Sequence, residues 1–190
     1  MLALALIVAS QPALAPALLY ERTGILRGEY WRLWTGHLVH FGPSHLVWNL
    51  LIFALAAVWA ERLAPVRTRI LLAVAPGVIG LALLALDPAL QTYAGLSGVV
   101  AAALAFLAFT QLTPPALAGP PVTIPARPSD RWFWRGVLAL ILLKIAAEFA
   151  AEQPLFARFS VSGIRTVPLA HLAGFLVAST VHRARRRPPA

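Results

Sequence analysis

Tyr93-Ala94-Gly95-Leu96-Ser97-Gly98-Val99-Val100 runs straight into Ala101–Leu112, where only Thr110 and Gln111 are polar. The stretch reads as a helix crossing a lipid layer, entered past a serine with glycine close on both sides. Those glycines let the backbone approach a neighbouring chain. A helix start leaves its first N–H groups unpaired, and such donors suit a developing oxyanion. A Gly/Ser packing contact between membrane helices would look the same in one sequence. Both readings of Ser97 are open at this point.

The composition around it supports a membrane chain. Residues of the AVILMFWYC set make up 59% of the 190 residues, mean hydropathy is +0.76, and 12% are charged. A soluble domain of this size could not bury so much apolar side chain. A crossing of the ~30 Å hydrocarbon layer takes roughly 20 apolar residues, so the expectation is all-α: one six-helix polytopic bundle spanning residues 1–190. The crossings read at about 1–20, 44–61, 68–86, 95–112, 134–151 and 164–182. There are no cysteines, which excludes disulfides and thiolate metal sites.

The first segment begins without a basic stretch, and its apolar run is longer than a signal core, so a retained helix is expected. The net charge of +9 comes from 16 basic residues against 7 acidic ones. Spread over short connections, this is a topology signal rather than a nucleic-acid surface. Six crossings would put both termini on one side. With the termini cytoplasmic, Arg62, Arg67, Arg69, Arg127, Arg131, Arg135, Arg183, Arg185, Arg186 and Arg187 lie inside. Arg22, Arg27, Arg32, Arg158 and Arg165 lie outside. Positive residues prefer the cytoplasm, which supports that orientation. The basic 183–190 tail can also touch acidic headgroups of the bilayer.

Trp31 and Trp34 place the 22–43 connection along the outer membrane surface, and Trp132 and Trp134 read as interfacial anchors. Six prolines between Pro114 and Pro128 make 113–131 an extended cytoplasmic linker.

Polar residues within lipid are functional candidates by default, and away from helix ends few remain: His45, Asn49, Ser97, Lys144, Glu148 and His171. His171 lies in Ala170-His171-Leu172-Ala173-Gly174, where Ala170, Gly174 and Ala178 recur every four residues as a small-residue stripe. Ser97, Ala101 and Ala105 form a second stripe, and two such faces can pack closely. That would bring Ser97 within reach of a neutral imidazole able to take its proton. His45 and Asn49, four apart, share one helix face and can donate to a carbonyl oxygen becoming negative. No Asp or Glu stands in these motifs to orient His171, so a dyad is implied. All three constellations sit at outer helix ends, consistent with one pocket open to the outside.

Together these residues resemble the rhomboid family of intramembrane serine proteases. Gly95-Leu96-Ser97-Gly98 is similar to its nucleophile box, and Ala170-His171-Leu172-Ala173-Gly174 to its base motif. His40-Phe41 with His45 and Asn49 resembles the second-helix signature, and Trp31-Arg32 the first-loop pair. The resemblance covers about residues 30–180. It implies Ser97 as nucleophile, His171 as general base, and His45, Asn49 and the Ser97 backbone N–H as oxyanion hole, with Gly95, Gly98, Gly174, Trp31 and Arg32 supporting. Thr35-Gly36-His37-Leu38-Val39-His40, Lys144, Glu148 and the short chain resemble the rhombosortase branch. That branch implies trimming of C-terminal Gly-Gly-type sorting tails from exported bacterial proteins at the inner membrane, with the active site facing the periplasm. One position departs from the family: four residues after the serine, where many members carry an aromatic, stands Ala101.

Lys144 and Glu148, one turn apart, can pair within the bilayer, either to neutralise each other or to serve gating or a proton path. His37, His40 and His45 lack the HExxH box or convergent carboxylate of a metal site, so neither metal nor cofactor is expected. Partners are membrane-spanning substrates with apolar C-terminal tails and the bilayer, without nucleic acid. Gating is expected from the fifth helix or the 151–163 loop. Two other classes stand beside the protease: a non-catalytic relative that escorts membrane segments, and a small transporter using Lys144 and Glu148. Retention of both Ser97 and His171 argues against the first.

Overall fold

The computed structural model describes residues 1–113, 128–151 and 166–184. Five long helices make the bundle: α5 (Pro43–Leu63), α6 (Pro65–Leu86), α7 (Ser97–Leu112), α8 (Pro128–Ala151) and α9 (Pro168–Arg183). Four of them open on proline. At a first helical position the missing N–H is one that would have no intrahelical partner anyway. α5 and α6 are long and apolar enough to cross a membrane. α8 has 24 residues but carries Arg131, Arg135, Lys144 and Glu148.

α7 is the centre, in contact with the other four long helices. Its interior is built from small side chains: Ala102, Ala103, Ala105 and Ala108 are buried, as are Ala170, Ala173 and Ala178 on α9. Gly98 and Gly174 face each other where the two helices cross. Bulky apolar residues point outward instead, among them Leu51, Leu55 and Trp59 on α5 and Leu140 and Leu143 on α8. His45, Asn49, Glu148 and His171 are buried. Large apolar groups outside and polar groups inside are the arrangement a lipid solvent favours.

Four expectations are corrected. Residues 1–20 are helical but broken. α1 (Leu2–Ser10) ends at Gln11, a 3-10 turn covers Pro12–Leu14, and α2 (Ala15–Leu18) follows. Pro12 and Pro16 lack the N–H that would continue the ladder. At 1.5 Å per residue, nine residues span about 14 Å, too little for α1 alone to carry Met1 across. The 113–131 linker is shorter than expected, because Pro128 already begins α8; residues 114–127 lie outside the described residues. Trp134 is buried and meets Trp59 edge-on at 5.3 Å, whereas Trp132 is exposed. The α7 row that meets α9 is Gly98 and Ala102, not Ser97 and Ala101. Glycine at the crossing permits backbone contact, and Ser97 is rotated about 100° away from it.

The sequence held no signal for a two-residue antiparallel ladder. β1 (Tyr20–Glu21) pairs with β2 (Thr92–Tyr93), Tyr20 opposite Tyr93. The short helices α3 (Arg22–Leu26) and α4 (Arg32–Thr35) complete the first connection. Expectations placed on Arg127, Arg158, Arg165, Arg185, Arg186, Arg187 and the 151–163 loop fall outside the described residues, apart from Ala151 at the end of α8.

Candidate active site

Ser97 is the first residue of α7 and Leu96 its N-cap. The first bond of the helix runs from the Val100 N–H to the Leu96 carbonyl at 2.8 Å, so the N–H groups of Ser97, Gly98 and Val99 have no intrahelical acceptor. They carry the positive end of the helix dipole. Just before them Gly95 adopts φ +121°, a left-handed conformation that glycine alone takes at no steric cost.

The turn at Gly95 is fixed from several sides. Its N–H donates to the Gly36 carbonyl at 3.2 Å, and the Tyr93 hydroxyl donates to the Gly95 carbonyl at 2.9 Å. His37, in the 3-10 turn Gly36–Leu38, bonds through Nε2 to the Pro76 carbonyl at 3.0 Å and meets the Tyr93 ring at 5.3 Å. Burial lowers the His37 pKa to about 4, so its neutral ring is the donor. The His45 ring lies directly on Gly95, where a Cβ would come within 2.5 Å of Cε1. His40 stacks edge-on against His45 at 5.1 Å.

His171 stands in the first turn of α9, because that helix starts at Pro168 rather than near 164. Ser97, His171, His45, Glu148 and Phe41 line one open cavity of about 610 Å³, rimmed by residues from Leu86–Ala94 and Thr166–Leu169. Asn49 is one turn beyond His45 on α5 and does not line this cavity. It is 7% exposed, and its amide nitrogen has no hydrogen-bond partner among the described residues.

The expectation that no carboxylate reaches His171 is corrected. Glu148 Oε2 lies 2.7 Å from His171 Nδ1, and Lys144 Nζ donates to Glu148 Oε1 at 2.7 Å. Lys144 Nζ is also 3.3 Å from Nδ1. The sequence reading paired Glu148 with Lys144 and missed its contact with His171, because the two lie on different helices, 23 residues apart. A signal did exist: Trp134, Ile141, Ile145 and Glu148 are the buried residues of α8, and their spacing follows one helical face. The acid therefore points into the bundle.

Trp31 and Arg32 do not line the cavity and pin the first connection. The Trp31 indole N–H donates to the Ala17 carbonyl at 3.1 Å, and Arg32 Nη1 donates to the carbonyls of Pro16 and Leu19, each at 2.8 Å. Among the described residues no group of three or more His, Cys, Asp or Glu could hold a metal.

A family model for the Rhomboid domain matches residues 27–186. The chain belongs to the rhomboid family. Rhomboids are integral membrane proteins, generally serine proteases that act on membrane-spanning substrates within the bilayer. No curated protein matches the chain. As a rhomboid, it carries Ser97, Gly98, His171 and Gly174 where α7 and α9 cross at their cavity-facing ends. The bundle end away from the cavity carries Arg62, Arg67 and Arg69 at the α5–α6 turn, Arg131 and Arg135 at the start of α8, and Arg183 at the end of α9.

Proposed function

We propose that this rhomboid is an intramembrane serine endopeptidase with Ser97 as nucleophile and His171 as general base. The supporting observation is that Ser97 opens α7 and His171 sits in the first turn of α9, both on one cavity beside the Gly98–Gly174 contact. His171 Nε2 takes the hydroxyl proton as Ser97 Oγ attacks the scissile carbonyl carbon. The negative oxygen that forms is met by the Ser97 N–H at the dipole's positive end and by His45 on the cavity. Asn49 stands one turn behind His45, its amide nitrogen without a partner among the described residues. The proton then passes from His171 to the leaving nitrogen, and water taking the same route releases the acyl group.

α7 and α9 have 16 residues each, about 24 Å of helix against a ~30 Å hydrocarbon layer. Starting below the outer surface, they would set the serine at the floor of a water-filled recess. A substrate helix must unwind to expose its carbonyl there, and glycine lowers that cost. This favours the rhombosortase reading, in which Gly-Gly-type C-terminal tails of exported bacterial proteins are trimmed. The Arg-rich bundle end faces the cytoplasm of the inner membrane, and the cavity faces the periplasm.

The test is fluorophosphonate labelling of the purified protein, with cleavage of a reporter ending in Gly-Gly, an apolar span and a basic tail. Wild type should label and cleave, and Ser97→Ala and His171→Ala should do neither. Labelling retained by Ser97→Ala would overturn the assignment.

A further inference from the structure

Resting on that reading of Ser97 and His171, we propose that Glu148 is a positioning residue for the base, with Lys144 holding its carboxylate, so that the site is an extended Lys144–Glu148–His171–Ser97 arrangement rather than a dyad.

The argument begins with donors and acceptors. An ionised carboxylate only accepts, so the 2.7 Å contact between Glu148 Oε2 and His171 Nδ1 requires a hydrogen on Nδ1. With Nδ1 protonated, the one lone pair of the neutral ring is on Nε2, the atom a base must offer to Ser97. Lys144 cannot donate to Nδ1 across 3.3 Å while Nδ1 carries that hydrogen, and its bond goes to Glu148 Oε1. Each carboxylate oxygen thus has its own donor. Glu148 selects the tautomer, and a charge-assisted bond stabilises the imidazolium that forms when Ser97 gives up its proton.

A pair that served only to cancel charge would not be built this way. Glu148 lies in the last turn of α8, where the helix dipole disfavours an acid. Its side chain is 3% exposed against 30% for Lys144, so the carboxylate is directed inward to His171. Buried ion pairs are weak sources of stability. A mutually neutralising pair would not require the third contact.

The groups facing the imidazole are Lys144 and Glu148 from α8 and His45 from α5, with Tyr93 and Asp87 on the same cavity. Among them Glu148 favours the charged ring and Lys144 opposes it. Their removal should therefore shift the pH profile in opposite directions.

The experiment measures kcat/KM against pH for the Gly-Gly reporter in wild type, Glu148→Gln, Lys144→Met and the double variant. Glu148→Gln should lose on the order of 10²-fold or more, with the acid limb of the remaining activity moved to lower pH. Lys144→Met should move that limb to higher pH. The double variant removes both charges of the Lys144–Glu148 pair together, so it is informative even where a single variant fails to fold. It should fold, as judged by thermal unfolding in detergent, and still cleave slowly. Wild-type cleavage by the double variant, or an unmoved acid limb in Glu148→Gln, would overturn the proposal. Fluorophosphonate labelling keeps this separate from the protease assignment. If wild type labels at Ser97 while Glu148→Gln cleaves normally, only the positioning role fails.

Discussion

Gly174 on α9 stands against the Gly98 carbonyl on α7 so closely that a Cβ at 174 would overlap that oxygen. Backbone on both sides leaves little room to yield. Gly174→Ala is expected to destabilise the bundle by about 1–3 kcal/mol and to cut cleavage by separating Ser97 from His171. Thermal unfolding and reporter cleavage in detergent check this. Wild-type values in both would show that the crossing tolerates a methyl.

Gly95 and Gly28 both have positive φ, +121° and +106°, but only Gly95 has a neighbour in the way. Gly28→Ala should cost backbone strain of about 1–3 kcal/mol and leave the cleavage of folded protein intact. Gly95→Ala should carry similar strain and also displace His45, so folded protein should cleave poorly. Equal activity loss in the two variants would count against a role for the His45–Gly95 contact.

Asn49 presents a buried amide nitrogen with no partner among the described residues. If it meets the oxyanion, Asn49→Ala should lower kcat on the order of 10²–10³-fold with little change in KM. A change confined to KM would assign Asn49 to substrate binding instead.

His37 links stability to pH. Its folded pKa, about 4, lies below the ordinary 6.5 because burial disfavours the charged ring. Between those values the unfolded chain binds a proton that the folded chain does not. Stability is therefore fully present above about pH 6.5 and falls towards pH 4, by up to about 1.4 kcal/mol per pH unit. His37→Gln should flatten this slope in unfolding measurements; an unchanged slope would place the titration elsewhere.

The long helices were legible because an apolar run is a local property: α5, α6 and α7 lie within about three residues of the crossings read at 44–61, 68–86 and 95–112. The first segment misled because hydropathy gives Pro12 and Pro16 too little weight, while the ladder depends strictly on the N–H they lack. That Ser97 and His171 share one cavity could be read from their helix ends. The register of α7 could not, since Ser97 and Gly98 are equally small and only the approach of Gly174 distinguishes them. Glu148 looked like half of a local pair with Lys144, because its other oxygen finds a partner only once α8 and α9 are side by side.

The ladder between β1 and β2 shifts the boundary of what counts as the working unit. Tyr20 and Glu21 lie ahead of the 27–186 region that carries the family likeness, yet they hydrogen-bond to Thr92 and Tyr93. Tyr93 in turn grips Gly95, two residues before Ser97. A pull on the N-terminal segment would therefore be transmitted to the serine through a few short bonds. Trimming the chain to its recognisable domain would remove a strut of the candidate site.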